Sequence, residues 1–272
     1  MQSPRRVASR LAIVVVAGTA CLAATAGSAG AIINGKDSTE SYPFMASVPI
    51  SVPAQGLKDG QCGAALIHPR WVVTAAHCLN TEIGSIPAGT VRVGSENRTS
   101  GGTVRAISKK VIHPGFRQNL KGGPNRDDIA LIRLDRPVTQ KPVRIAEQPG
   151  RPGTPTRIIG FGTTVFSKDP AKWKMAERLQ ELDTRRGAVS ECGPGYASGR
   201  RLCTVSQVRD AMACNGDSGS PQIRRGRTGR WELIGVTSGP GAASPSCAEG
   251  PGLYVNVPAY ADWISGTIKK YG

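Results

Sequence analysis

The chain has 272 residues, 35 of them Lys or Arg against 19 Asp or Glu, a net charge of +16, 39% hydrophobic residues and seven cysteines. That length suits one large β domain or two small ones sharing a core. No low-complexity tract is present, and without C-x-x-C spacing a zinc site is not expected.

The first elements read as an export signal. Arg5, Arg6 and Arg10 make a basic start, Leu11 to Ala26 is apolar or small, and Ala29-Gly30-Ala31 offers the small-x-small pattern cut by a signal peptidase. The apolar stretch is short for a membrane span. The Arg5-Arg6 pair also suits the twin-arginine route. No second hydrophobic segment follows, so a secreted, extracellular product with no membrane partner is expected. Residues 1–31 are therefore assigned to the signal; a cut after Ala26 would instead leave 27–31 as a short pro-segment. Loss of Cys21 with the signal leaves an even set of cysteines, which in an exported chain reads as a disulfide framework. The three arginines leave too, so the balance becomes +13.

From Ile32 to about Val257, short apolar runs alternate with Gly, Pro, Asn and Ser. "AALIHPRWVVTAA", "TVRVGS", "VRAISKKVIH", "DIALIRL", "TRIIGFGTT", "ELIGVTSG" and "GLYVNV" have strand lengths and β-branched content. "IRRGRTGRWEL" reads as a hairpin with a solvated tip. "AKWKMAERLQELD" fits a helix or, equally, a strand after an irregular loop. Residues 146–156 are the most linker-like. After Pro258, Tyr260, Trp263, Ile264 and Ile268 recur at helical spacing, with Lys269 and Lys270 at the dipole's negative end.

The chemistry centres on "ACNGDSGSP" at 213–221. A serine hydroxyl is a weak nucleophile near neutral pH, so Ser218 needs a base. Of the three histidines, His68 and His113 each precede a proline and read as surface strand exits. His77 closes the run "WVVTAA" beside Cys78, where a rigid strand and a crosslink would hold it. The base in turn needs an acceptor on its other nitrogen. Asp128 opens an alternating apolar strand, where an unpartnered carboxylate would be costly; Asp127 reads as its solvated, loop-side rival.

"TAAHC", "DDIALIRL" and "GDSGSP" occur in the order His, Asp, Ser, and "CGAALIHPRWVVTAAHC", "IIGFGTT" and "PGLYVNVPAYADWI" accompany them. Across residues 32–272 the sequence resembles chymotrypsin- and trypsin-like secreted serine proteases of a bacterial type. The resemblance implies an all-β fold of two six-stranded antiparallel Greek-key barrels, at 32–148 and 149–257, and a C-terminal helix at 258–272. It implies an endopeptidase with His77, Asp128 and Ser218 as triad and the amides of Gly216 and Ser218 as oxyanion hole. It also implies an ion pair between Asp217 and the freed amino group of Ile32. The same resemblance selects the pairs Cys62–Cys78, Cys192–Cys203 and Cys214–Cys247.

The pocket departs from trypsin. Where trypsin-like enzymes carry aspartate, this chain has Met212, followed by Ala213; Asp210 lies two residues too early. With Gly252 on one wall, the resemblance implies cleavage after apolar residues. Ser238 matches the family's serine beside the triad aspartate. Pro240 falls where a backbone N–H commonly receives substrate, and proline has none. "VGSENRTSGGTVR" does not resemble a calcium loop, so no metal and no cofactor are expected. The expected partners are protein or peptide substrates, met by a monomer. Two other classes are weaker. A basic binding protein on the same fold would draw on Arg224, Arg225, Arg227 and Arg230, but inactive relatives lose the Ser or His, aromatic interleaving is sparse there, and nucleic acid is not an expected partner. A serine esterase of another fold would need a Gly-x-Ser-x-Gly elbow and a different triad order.

Overall fold

The computed structural model describes residues 32–272; the export segment expected at 1–31, with Cys21 and the alternative cut after Ala26, lies outside the described residues. Among the described residues six strands close the first barrel: β1 (Met45–Val52), β2 (Leu57–His68), β3 (Trp71–Thr74), β4 (Thr90–Val93), β5 (Thr103–Ile112) and β6 (Ala130–Leu134). Their antiparallel pairings run β1-β2-β3-β6-β5-β4 and return to β1. Six more close the second: β7 (Pro155–Gly160), β8 (Gln180–Arg186), β9 (Arg201–Ser206), β10 (Pro221–Arg225), β11 (Trp231–Pro240) and β12 (Gly252–Asn256). They run β7-β8-β9-β12-β11-β10 and return to β7, which is the same connectivity. Closure removes the unpaired edges that an open sheet would expose.

The larger core cluster runs from the first barrel (Val48, Leu66, Val73, Leu131) through Phe161, Ile223 and Val236 of the second to Ile264 near the C-terminus. The second fills the interior of its own barrel with Ile158, Leu182, Leu202, Ile234 and Tyr254, and draws in Ile32 and Met212. Each large aliphatic side chain so buried stabilises the fold by about 1.5–3 kcal/mol.

The ambiguous segment takes the strand alternative. A single 3-10 turn at Pro170–Lys172, capped by Asp169, precedes irregular chain and then β8. Pairing of β8 with both β7 and β9 outweighs its helical spacing. Just before the linker-like stretch, Arg144–Ile145 pairs in parallel with Glu232–Leu233 of β11 and so ties the crossing chain down where it enters. The C-terminal segment forms a 3-10 turn, Val257–Tyr260, and then helix α1 (Ala261–Tyr271). That helix docks on the first barrel: Trp263 packs edge-on to His113 at 4.9 Å, and Arg133 donates to the Gly272 carbonyl at 3.2 Å. A strap from the second half thus holds the first.

Candidate active site

Register explains how His77 meets Asp128. Strands β3 and β6 pair with Thr74 opposite Ala130. Three residues past Thr74 the chain turns through a 3-10 segment, Ala76–Leu79, that carries His77; Asp128 lies two residues before Ala130. The two side chains therefore emerge at the same end of one ladder. His77 Nδ1 lies 2.8 Å from Asp128 Oδ2, and the His77 amide donates to Asp128 Oδ1 at 2.9 Å. The Cys62–Cys78 disulfide fastens the turn to β2.

Asp128 is 1% exposed along its side chain and His77 18%. Burial alone would push both toward their neutral forms. Their mutual attraction wins: His77 is held above the ordinary imidazole value by the Asp128 charge and hydrogen bond. Asp128 is held below the ordinary carboxylate value by His77 and by Ser238, whose hydroxyl donates to Oδ2 at 2.6 Å. Asn125 adds a fourth donor, Nδ2 to Oδ2 at 3.1 Å. Sequence reasoning missed Asn125, because its contact depends on a loop folding back rather than on any spacing.

The second barrel supplies Ser218. It precedes β10, and Gly219 N donates to Thr237 O at 2.8 Å, so the serine loop is stitched to β11 just before Ser238. Across the junction, Gly63 N of β2 donates to the Ser218 carbonyl at 2.7 Å. His77 and Ser218 line one cavity of about 190 Å³ with Gly216, Leu57, Trp173 and Met175. No hydrogen bond joins the Ser218 hydroxyl to the His77 ring among the described residues; such contacts commonly tighten only when substrate binds.

The glycines of "GDSG" have a steric cause. Gly216 has φ +88°, and a Cβ there would lie 2.6 Å from Met175 Sδ. Gly219 has φ +78°, and its Cβ would meet the Gly63 carbonyl at 2.4 Å. Gly219→Ala should therefore destabilise the fold by at least about 2 kcal/mol, through left-handed strain and a backbone overlap. An unchanged urea midpoint would contradict it. The amides of Gly216 and Ser218 donate to no protein acceptor among the described residues.

Asp217 turns inward and is 1% exposed. It accepts from Gly162 N at 2.9 Å and Cys214 N at 3.0 Å. Desolvation outweighs those bonds and pushes its pKa up to about 7. Ile32 is also buried, but no ion pair joins it to Asp217 among the described residues. The expected pair belongs to the freed amino group; in the uncut chain Ile32 follows Ala31 through a peptide bond and its nitrogen is an uncharged amide.

At the pocket positions, Met212 is 1% exposed beside Tyr254 and Ile32, and a Cβ on Gly252 would lie 2.9 Å from its sulfur. Ala213 is half-buried, and Asp210 is exposed. Ser238 and Pro240 line a groove of about 320 Å³ with His77, Asn125, Gln118 and Tyr196. Cys192–Cys203 and Cys214–Cys247 are bonded.

One expectation needs correction. Asp127 is buried, not solvated: Tyr260 donates to it at 2.7 Å and Arg200 at 3.0 Å. The arginine hairpin has the expected solvated tip, while the arginines on its first strand find partners. Arg224 pairs with Glu232 at 3.1 Å, and Arg225 pairs with Glu40 at 2.7 Å and stacks on Trp231, while Arg227 and Arg230 remain exposed. No group of three His, Cys, Asp or Glu suited to a metal occurs among the described residues.

The family pattern described as trypsin matches residues 32–264. The chain belongs to the trypsin family. It is 31% identical to a trypsin of Sarcophaga bullata over 251 residues, covering 89% of this chain and 90% of that protein. It is 30% identical to CLIP domain-containing serine protease B4 of Anopheles gambiae over 260 residues, covering 84% of this chain and 68% of that one. Neuropsin, a serine protease expressed in the limbic system of mouse brain, superposes with a TM-score of 0.70 at 26% identity, covering 87% of this chain and all of that one. This trypsin-family chain is thus a serine endopeptidase of the two-barrel fold. These relatives come from insects and mouse, so the bacterial type expected from the sequence draws no support from them.

Proposed function

We propose that the chain hydrolyses peptide bonds with Ser218 as nucleophile, His77 as general base and then acid, and Asp128 as the ionised partner that orients the ring. The observation that carries this reading is the buried Asp128–His77 pair opening onto the cavity that Ser218 lines. Ser218 Oγ attacks the carbonyl carbon while its proton passes to His77 Nε2. The oxyanion is held by the amides of Gly216 and Ser218; each such donor is worth about 3–4 kcal/mol in sites of this kind. Collapse breaks the C–N bond, His77 returns its proton to the leaving amine, and water repeats the sequence on the acyl-enzyme. Since the base must be neutral and Asp128 holds His77 above its ordinary value, activity falls with decreasing pH from a point at or above the usual imidazole range.

Specificity is for apolar residues on the acyl side. Met212 lies against Gly252 and packs with Ile32, Ala211 and Tyr254, and this apolar floor does not favour a Lys or Arg side chain. Pro240 removes one backbone donor to extended substrate, a loss of about 1 kcal/mol. Release of Ile32, by signal peptidase directly or by a second cut, supplies the α-ammonium for Asp217. The enzyme acts as a secreted monomer on protein or peptide substrates, without a nucleic-acid, membrane or cofactor partner. Occupation of Arg224 and Arg225 by Glu232, Glu40 and Trp231 favours this over a polyanion-binding role.

The test is a diverse peptide pool incubated with the chain beginning at Ile32 and with its Ser218→Ala form, the cuts being mapped by mass spectrometry. Cuts after large apolar residues, absent in the alanine form, are expected. Met212→Asp should then raise the Lys-over-Leu ratio of kcat/KM by at least about tenfold. Cuts after Lys or Arg by the unaltered chain would discard the pocket reading, and no Ser218-dependent cutting would discard the triad.

A further inference from the structure

Asp128 Oδ2 is crowded. It accepts from His77 Nδ1 at 2.8 Å, from the Ser238 hydroxyl at 2.6 Å and from Asn125 Nδ2 at 3.1 Å, while among the described residues Oδ1 takes only the His77 amide. Asn125 is not a passive neighbour. Its Oδ1 accepts from Asn119 N at 3.0 Å, its carbonyl accepts from Arg201 at 3.3 Å, and it lines the groove shared by His77, Ser238 and Pro240. One side chain thus joins the wall of the groove, at Gln118–Pro124, to the acid behind the base.

We infer that Asn125 is a positioning residue that sets the basicity of His77 by drawing charge from the oxygen that holds the imidazole. This rests on the triad reading above. A carboxylate oxygen that already receives several donors attracts one more cationic donor less strongly. Without the Asn125 donor, the Asp128 charge bears more fully on His77, the imidazolium is favoured, and the base is neutral only at higher pH. Other groups around the pair are accounted for. Asp127 is held by Arg200 and Tyr260, and His113 lies behind it against Tyr260 and Trp263. Arg201 is committed to backbone carbonyls at Tyr196, Gly195 and Asn125. Tyr196 is the remaining ionisable side chain on the groove, and Asp217 is turned away into Gly162 and Cys214.

The decisive measurement is the titration of His77 by NMR in a Ser218→Ala chain beginning at Ile32, with Asn125 intact, Asn125→Leu or Asn125→Ala. With three histidines in all, the imidazole signals are separable. Leucine keeps bulk against the groove and alanine does not; neither donates. An equal upward shift of His77 by about 0.5 pH unit in both is expected, with His68 and His113 unmoved. In the Ser218 enzyme the acid limb of kcat/KM should move with it, a roughly threefold loss of rate well below the limb. A His77 titration unmoved in both variants would overturn the inference, as would a shift confined to alanine, which would point to water entry. Because the titration needs no turnover, it separates this idea from the triad reading, which fails instead if the unaltered chain shows no Ser218-dependent hydrolysis.

Discussion

Asparagine in place of Asp128 should lower kcat by about 10⁴-fold at neutral pH, the scale found for this change in Ser-His-Asp sites. The hydrogen bonds explain why so small a substitution costs so much. The carboxylate receives donors on both oxygens, from the His77 amide on one and from His77 Nδ1, Ser238 and Asn125 on the other. An amide has one acceptor oxygen and an NH₂ that donates. If the NH₂ faces the imidazole, Nδ1 must become the acceptor, the ring proton moves to Nε2, and no lone pair remains there for the Ser218 proton. If the NH₂ faces the other way, it opposes the His77 amide and leaves a buried donor unmatched, at about 1–3 kcal/mol of stability. Steady-state kinetics and thermal unfolding on the same preparation read both arms. A fall in kcat smaller than about tenfold with the fold intact would remove Asp128 from the triad.

The second large effect concerns Asp217. In a chain that retains residues 27–31, burial raises its pKa to about 7 from an ordinary 3.8. Between those values the folded state keeps a proton that the unfolded chain releases. Its contribution is therefore fully present below about pH 4 and is lost as pH rises through the folded value, about 4 kcal/mol in all. A Ser218→Ala chain that retains 27–31 should become less stable from pH 4 to 7. The same chain beginning at Ile32 should lack that slope, because its α-ammonium stabilises the ionised carboxylate. Guanidinium melts of both forms across this range decide it. Parallel slopes would mean that Ile32 and Asp217 do not pair after release.

Reading the sequence succeeded where local residues carry the information. "TAAHC" and "GDSGSP" announce a turn and a loop whose glycines and disulfide leave few alternatives, and the short β-branched runs announce strands. It failed where a distant partner decides the outcome. Asp127 reads as solvated until Tyr260 and Arg200 close over it. Asn125 has no signature of its own. Residues 171–183 fit a helix or a strand equally until β7 and β9 pair with the strand that begins at Gln180. The repeated connectivity of the barrels leaves no repeat in the residues visible by eye, since many apolar side chains fill the same barrel position equally well.

The Gly63 N–Ser218 carbonyl bond crosses from one barrel to the other, and it carries a consequence for how the chain tolerates change. In the proposed triad, base and acid belong to the first half and the nucleophile to the second, so the reactive unit would be a border that neither half owns. A substitution far from the reactive residues that shifts one half against the other would therefore reach them. The combination of 26% identity and a TM-score of 0.70 shows the frame that brings the two halves together persisting while most residues differ.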